Sequence, residues 1–203
     1  MSGTTFRGPR DGTRLAFSFI LFALLADGLD GIIARKTGKG ELGEYFEAMG
    51  DMTSMGIALP LFVYSLYQPQ FSNQLFLYLL ILCIFLFYVI CTVIRLAAFH
   101  PLKNQSAFIG LPASAGTIIL ATLSFININF YLICLLFILI SILMISPVHF
   151  PKSSGKINLI ATVLIIFTII LGNSFFSIAP ILLCGATGCY SVFGPLILLR
   201  KKL

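Results

Sequence analysis

LFLYLLILCIFLFYVICTVIRLAAF, residues 75–99, carries a single charge, Arg95. A helix that crosses a bilayer needs about 20 mostly apolar residues, because the backbone polar groups must be satisfied inside the helix where no water reaches them. The run meets that length with little to spare on either side. Gln68-Pro69-Gln70 precedes it and His100-Pro101 follows it, both of them turn chemistry. The stretch therefore reads as a transmembrane helix, and the rest of the chain repeats the reading. Apolar runs at about 15–35, 46–67, 108–126, 130–146, 157–173 and 177–199 complete a set of seven spans. The remaining breaks are Lys36 to Leu42, Asn127 to Asn129, Pro147 to Gly155 and Gly172-Asn173-Ser174. The expected fold is an all-α, polytopic helical bundle: a polar leader over 1–14, then one transmembrane domain over 15–203.

The composition agrees. Apolar residues make up 59% of the 203 and charged residues 10%, where a soluble domain has about a quarter. The five cysteines lie singly in apolar runs, are odd in number and include no Cys-x-x-Cys pair. They read as small buried or lipid-facing residues. The first apolar run leads into Asp27 and Asp30, not into a small-residue cleavage site, so no cleavable signal peptide is expected.

Threading the spans in order puts Arg35, Lys36, Lys39, Arg95, Lys103, Lys152, Lys156, Arg200, Lys201 and Lys202 on one side. The opposite loops, 68–74, 127–129 and 174–176, are uncharged. The positive-inside rule makes the basic side cytoplasmic. The net charge of +6 then reflects topology and attraction to anionic head groups. No compact basic patch interleaved with aromatics is present, which argues against nucleic acid as a partner. Arg7, Arg10 and Arg14 precede the first span and break the pattern, falling on the outer side.

The acids are the most informative feature. Of the seven, six lie between Asp27 and Asp51, and none follows Asp51. At about 100° per residue, Asp27, Asp30, Gly31 and Ala34 share roughly a quadrant of one helix, and Gly43, Glu47 and Asp51 form a stripe on the next. A tight hairpin between them sets the two stripes face to face. Gly31, Ala34 and Gly43 permit close approach of a helix or a ligand. Facing carboxylates at a membrane edge repel one another unless protonated or compensated by a cation. Oxygen donors with no His or Cys nearby favour Mg²⁺ or Mn²⁺ over zinc. Arg35, about one turn from Asp30, is placed to hold a phosphate oxygen.

Asp27-x2-Asp30-Gly31-x2-Ala34-Arg35-x7-Gly43-x3-Glu47-x3-Asp51 resembles the signature of the CDP-alcohol phosphotransferases, with Glu47 where that family has Asp. Further stretches resemble its phosphatidylserine synthase branch of bacterial and archaeal type. They are Gly50 to Ala58, Ile94 to His100, Phe108 to Ala113, and Leu143 to Ser146 with Phe150-Pro151-Lys152. Ala98 and His100 depart from that branch, which has Arg and Asn there. The family usually has one more helix before the one that carries Asp27, so this chain looks as if it lacks the family's first helix.

The resemblance implies a multi-pass membrane enzyme with two divalent ions, Mg²⁺ or Mn²⁺, held by Asp27, Asp30, Glu47 and Asp51. It implies a CDP-lipid donor contacted by Gly31, Ala34, Arg35 and Gly43, release of CMP, Asp51 as base, and a homodimer. Its branch implies L-serine as acceptor at a site facing the cytoplasm. Arg95 and Lys152 are candidate acceptor-binding residues; a snorkelling Arg and a plain interfacial Lys are the alternatives. His100 and His149 read as turn or loop residues, and Gly110-Leu111-Pro112 as a helix opening. Glycerol phosphate or inositol phosphate as acceptor, a transporter, and a non-catalytic relative are the competing functions. A transporter would spread its intramembrane charge over several helices, whereas here it sits in one hairpin.

Overall fold

The computed structural model describes residues 11–37, 41–71, 74–102, 107–151, 155–171 and 178–202. Helix α1 runs Asp11–Thr37. Helix α2 (Glu41–Asp51), a π-helical segment (Met52–Ala58) and α3 (Leu59–Phe71) follow without a break. Then come α4 (Leu75–Leu102), β1 (Ala107–Ile109), α5 (Ala113–Phe125), α6 (Phe130–Ile145), β2 (His149–Pro151), α7 (Gly155–Leu171) and α8 (Ile178–Lys202). With residues 41–71 counted as one rod, these are the seven helical rods expected from the apolar runs. Gly12–Leu29, Leu75–Ala98 and Ile178–Pro195 are long and apolar enough to cross a membrane.

The distribution of side chains is inverted relative to a water-soluble bundle. Leu75, Phe76 and Ile170 are each 74% exposed, whereas Thr92, Thr117, Thr122, Ser124, Ser141 and Thr168 are wholly buried. Facing water, such a coat of Leu, Ile and Phe would aggregate. Against acyl chains it costs nothing, and small hydroxyl residues let helices pack closely inside. Four of these six hydroxyls bond a carbonyl one turn back in their own helix, while Thr117 lies 3.4 Å from the Tyr88 hydroxyl and Ser124 Oγ has no partner among the described residues. Thr92 donates to the Tyr88 carbonyl (2.9 Å), Thr122 to Ile118 (2.6 Å), Ser141 to Phe137 (2.6 Å) and Thr168 to Leu164 (2.7 Å). The chain is an integral membrane protein.

Aromatic contacts fill the centre. Phe17 of α1 stacks on Phe125 of α5 at 4.2 Å, and Phe137 of α6 meets Tyr88 of α4 edge-on at 5.0 Å. Gly116 lets α5 lie against α6, since a Cβ there would sit 2.7 Å from Met144 and 2.8 Å from Ile140. At the far end, Asn129 caps α6 by accepting from the Tyr131 N–H at 2.9 Å.

Three segments differ from the apolar-run reading; one is His100-Pro101, which falls inside α4 and not after it. The break at Gln68-Pro69-Gln70 falls inside α3, which continues to Phe71. Pro69 lacks an N–H for the carbonyl four residues before it, and α3 ends two residues later. The span expected to start at 108 begins instead with strand β1, and α5 starts only at Ala113, after Pro112. β1 pairs antiparallel with β2, Phe108 opposite Phe150 and Ile109 opposite His149. This ribbon joins the α4–α5 and α6–α7 connections at the end of the bundle where α1 gives way to α2.

Candidate active site

The acids stand on α1 and α2, which pack against each other. The two run antiparallel on either side of the 38–40 connection, which lies outside the described residues. Counting outward from it puts Asp30 level with Glu47, and Asp27 level with Asp51. Asp27, Glu47 and Asp51 are half-buried, as expected of carboxylates at the edge of an apolar bundle that still reach solvent. The backbone of Asp30, Gly31, Ala34 and Arg35 continues α1; their side chains, and the whole of Lys152, lie outside the described residues.

Gly28, Gly43 and Gly50, near these acids in the sequence, are exposed. A Cβ built on any of the three meets no heavy atom within 4 Å. Gly43 therefore does not serve close helix packing, the first of the two roles its size allows; room for a ligand is the other. The donor set is chemically uniform: half-buried carboxylates, with no His or Cys anywhere in α1 or α2. That chemistry fits a hard divalent cation.

Immediately after Asp51 the chain winds as a π helix over Met52–Ala58. The Thr53 hydroxyl donates to the Met49 carbonyl at 2.8 Å and the Ser54 hydroxyl to that of Gly50 at 2.9 Å. Inserted π turns recur at functional sites. Periodicity over 46–67 gave no warning of this one, although Pro60 in that run removes a backbone donor and was the available signal.

The register of α4 on this segment follows from two contacts. The Tyr88 hydroxyl donates to the Met55 carbonyl at 3.3 Å, and a Cβ on Gly56 would lie 3.6 Å from Thr92. One turn further along α4 stands Arg95. Arg95 is 7% exposed, and its Nε donates to the Leu111 carbonyl at 3.2 Å. It does not snorkel to solvent.

Leu111 is itself tied down. Its N–H donates to the Leu143 carbonyl at 3.0 Å, and the Gly110 N–H donates to that of Val148 at 2.7 Å. Gly110 has a φ of +79° and lies directly on the Met144 carbonyl, so both its conformation and the lack of a side chain are required there. The stretches around Gly110 and around Met144, read separately in the sequence, form one joint that also uses the last carbonyls of α6. Tyr190 of α8, which the sequence reading passed over, donates to the Pro151 carbonyl at 2.8 Å and rests on Phe150. Gly194 brings α8 onto the Pro151 ring, 3.0 Å from a built Cβ. His149 is exposed, in keeping with a loop-side residue.

Comparison with known proteins bears on this arrangement. The chain is 39% identical over 144 residues to a CDP-diacylglycerol–serine O-phosphatidyltransferase of Methanocaldococcus jannaschii, covering 70% of this chain and 66% of that one. It is 32% identical over 143 residues to an archaetidylserine synthase of Methanothermobacter thermautotrophicus, covering 67% and 58%. It is 25% identical over 171 residues to a CDP-diacylglycerol–serine O-phosphatidyltransferase of Helicobacter pylori, covering 77% and 70%. The chain thus spans slightly under two thirds of the length of the first relative and less of the second. Residues 9–146, from before α1 through the end of α6, match the CDP-alcohol phosphatidyltransferase family. That match includes every acid from Asp11 to Asp51, the π segment, Arg95 and the Gly110 joint, and by it the chain belongs to the CDP-alcohol phosphatidyltransferase family.

Proposed function

We propose that this protein transfers a phosphatidyl or archaetidyl group from a CDP-linked lipid to the hydroxyl of L-serine, releasing CMP, as a step of phospholipid synthesis. The observation that carries the reading is the family match over residues 9–146, which takes in half-buried Asp27 and Asp51 on packed helices and buried Arg95. The names of the relatives from M. jannaschii, M. thermautotrophicus and H. pylori support serine as the acceptor.

Asp27, Asp30, Glu47 and Asp51 would hold divalent cations, Mg²⁺ or Mn²⁺, two by the family resemblance. When bound, such ions neutralise a diphosphate and stabilise the departing phosphate. The protein's own part is positional. The space beside Gly43, with Gly31 and Ala34 on α1, admits the cytidine end of the donor. Arg35 steadies a phosphate, and the lipid tails stay against the apolar coat. Arg95 meets the carboxylate of serine, with Lys152 as a further contact. Asp51 takes the proton from the serine hydroxyl. The serine oxygen forms a bond to the lipid-side phosphorus as the bond from that phosphorus to the CMP oxygen breaks, and CMP leaves with the electron pair. The site faces the cytoplasm, where the basic loops lie. A homodimer is part of the same reading, tested by cross-linking in the membrane.

The deciding experiment is CMP release by purified protein with a CDP-lipid and, separately, serine, glycerol phosphate and inositol phosphate. Release with serine, abolished by chelator, is expected. Release only with a phosphorylated acceptor would move the protein to another branch, and no release with any acceptor would favour a non-catalytic role.

A further inference from the structure

The π segment after Asp51 has an unusual anchor. In a π helix each carbonyl looks five residues ahead for its donor, and in an α helix four. Five residues after Met55 is Pro60, which has no N–H. The π pattern must therefore stop here, and it does, at Ala58 with α3 starting at Leu59. The Met55 carbonyl is left without a π-type backbone partner. Met55 is 2% exposed, so water does not readily serve it, and an unpaired buried carbonyl is costly. The partner that arrives is a side chain from another helix, the Tyr88 hydroxyl at 3.3 Å.

Tyr88 is held for that task. It is wholly buried, and its ring is fixed edge-on by Phe137 at 5.0 Å. Its single proton goes to Met55, so the Thr117 hydroxyl, 3.4 Å away, donates to its oxygen. Thr92, one turn on, closes against Gly56, where a larger residue would meet both Thr92 and Met52. The backbone that follows Asp51 is thus widely wound, and its downstream end is fastened by a phenol.

We infer that Tyr88 is a positioning residue for Asp51: by donating to the Met55 carbonyl that Pro60 leaves unserved, it holds the π turn that aims Asp51 toward α1. The effect on turnover rests on the functional reading above; the effect on the backbone does not.

The test uses the full-length chain in lipid nanodiscs as wild type, Tyr88→Phe, Pro60→Ala and the double variant. Two quantities are read: amide hydrogen exchange over residues 50–59, and CMP release with kcat and KM separated for CDP-lipid and serine. Tyr88→Phe keeps the ring and removes the donor. It is expected to speed exchange in the segment about tenfold and lower kcat about tenfold, with both KM values within about twofold. Pro60→Ala returns a backbone N–H to the same turn, so the double variant is expected to match Pro60→Ala alone in both readouts. Unchanged exchange and kcat in Tyr88→Phe overturns the inference, as does a double variant no better than Tyr88→Phe. If Tyr88→Phe alone does not accumulate, the double variant is compared with Pro60→Ala: equality supports the tether and a deficit overturns it. If the wild type releases no CMP with any acceptor, the functional reading fails, and exchange alone decides whether Tyr88 fastens the segment.

Discussion

The guanidinium of Arg95 and the carbonyl of Leu111 are joined by a 3.2 Å bond between α4 and the turn that opens α5. A cation fixed in this way, at 7% exposure, is a rigid feature of the site. Arg95→Lys keeps the charge but not the planar donor geometry. It is expected to raise the KM for serine about tenfold while leaving the KM for CDP-lipid within about twofold, an effect on acceptor binding and not on the chemical step. Initial-rate kinetics with each substrate varied in turn checks this. Equal losses for both substrates would place Arg95 elsewhere in the mechanism.

The half-buried acids separate by role. Asp27→Asn is expected to abolish turnover by weakening metal binding, and added Mn²⁺ should recover part of it. Asp51→Asn is expected to lower kcat by about 10²–10⁴, the usual worth of a positioned base, with no recovery at any Mn²⁺ concentration. Metal titrations of CMP release distinguish the two, and an Asp51→Asn enzyme with near wild-type turnover would remove Asp51 from the role of base.

Glu47 stands where the family signature has Asp and reaches one methylene further. Mg²⁺ requires close to octahedral geometry at about 2.0–2.1 Å and tolerates a misplaced ligand poorly. Glu47→Asp is expected to lower the Mg²⁺ needed for half-maximal rate and to narrow any preference for Mn²⁺. Because a Cβ on neighbouring Gly50 would meet nothing within 4 Å, the opposite result, weaker dependence on both ions, would mean that Glu47 is a fitted ligand and uses that space.

Gly110 combines a φ of +79° with direct contact on the Met144 carbonyl. Gly110→Ala is expected to cost about 1–3 kcal/mol from backbone strain alone, and the clash adds to it. A lowered thermal midpoint in detergent, together with loss of serine-dependent CMP release, is the expected result. Gly43→Ala, where a Cβ has open space, should leave the thermal midpoint unchanged while impairing use of the CDP-lipid. A stable, fully active Gly43→Ala protein would show that the space is not used by the donor.

What could be read in the sequence was whatever repeats over a full helix. Apolar runs about 20 residues long report their own environment, so the seven rods and the acid-bearing pair α1 and α2 were legible. Three-residue strands have too little period to stand out, and β1 was absorbed into the apolar run that follows it. Its pairing with Phe150 is a contact across 42 residues that no local pattern encodes. The π segment was hidden for a related reason. Pro60 signals that a donor is missing, but the group that replaces it, Tyr88, comes from another helix and looks like any other aromatic in an apolar run. Arg95 illustrates the limit from the other side: its charge was conspicuous, but its burial against Leu111 became visible only when α4 met the Gly110 turn.

The ribbon of β1 and β2 also sets an order of events during synthesis. Residues 107–109 leave the ribosome well before 149–151, and α5 and α6 must both be made in between. Until Val148 emerges, the Gly110 N–H lacks the carbonyl it holds in the finished protein, and until Leu143 has been placed by α6, so does the N–H of Leu111, the residue that anchors Arg95. The acidic hairpin can form as soon as its two helices are in the membrane, whereas the surroundings of Arg95 are completed only after three further insertions, α4, α5 and α6. A nascent chain halted between α5 and β2 would carry the acids proposed to bind cations but not the finished joint around the buried arginine. The site would therefore mature in two steps separated by the time needed to translate and insert about eighty residues, roughly 4–16 s at typical synthesis rates.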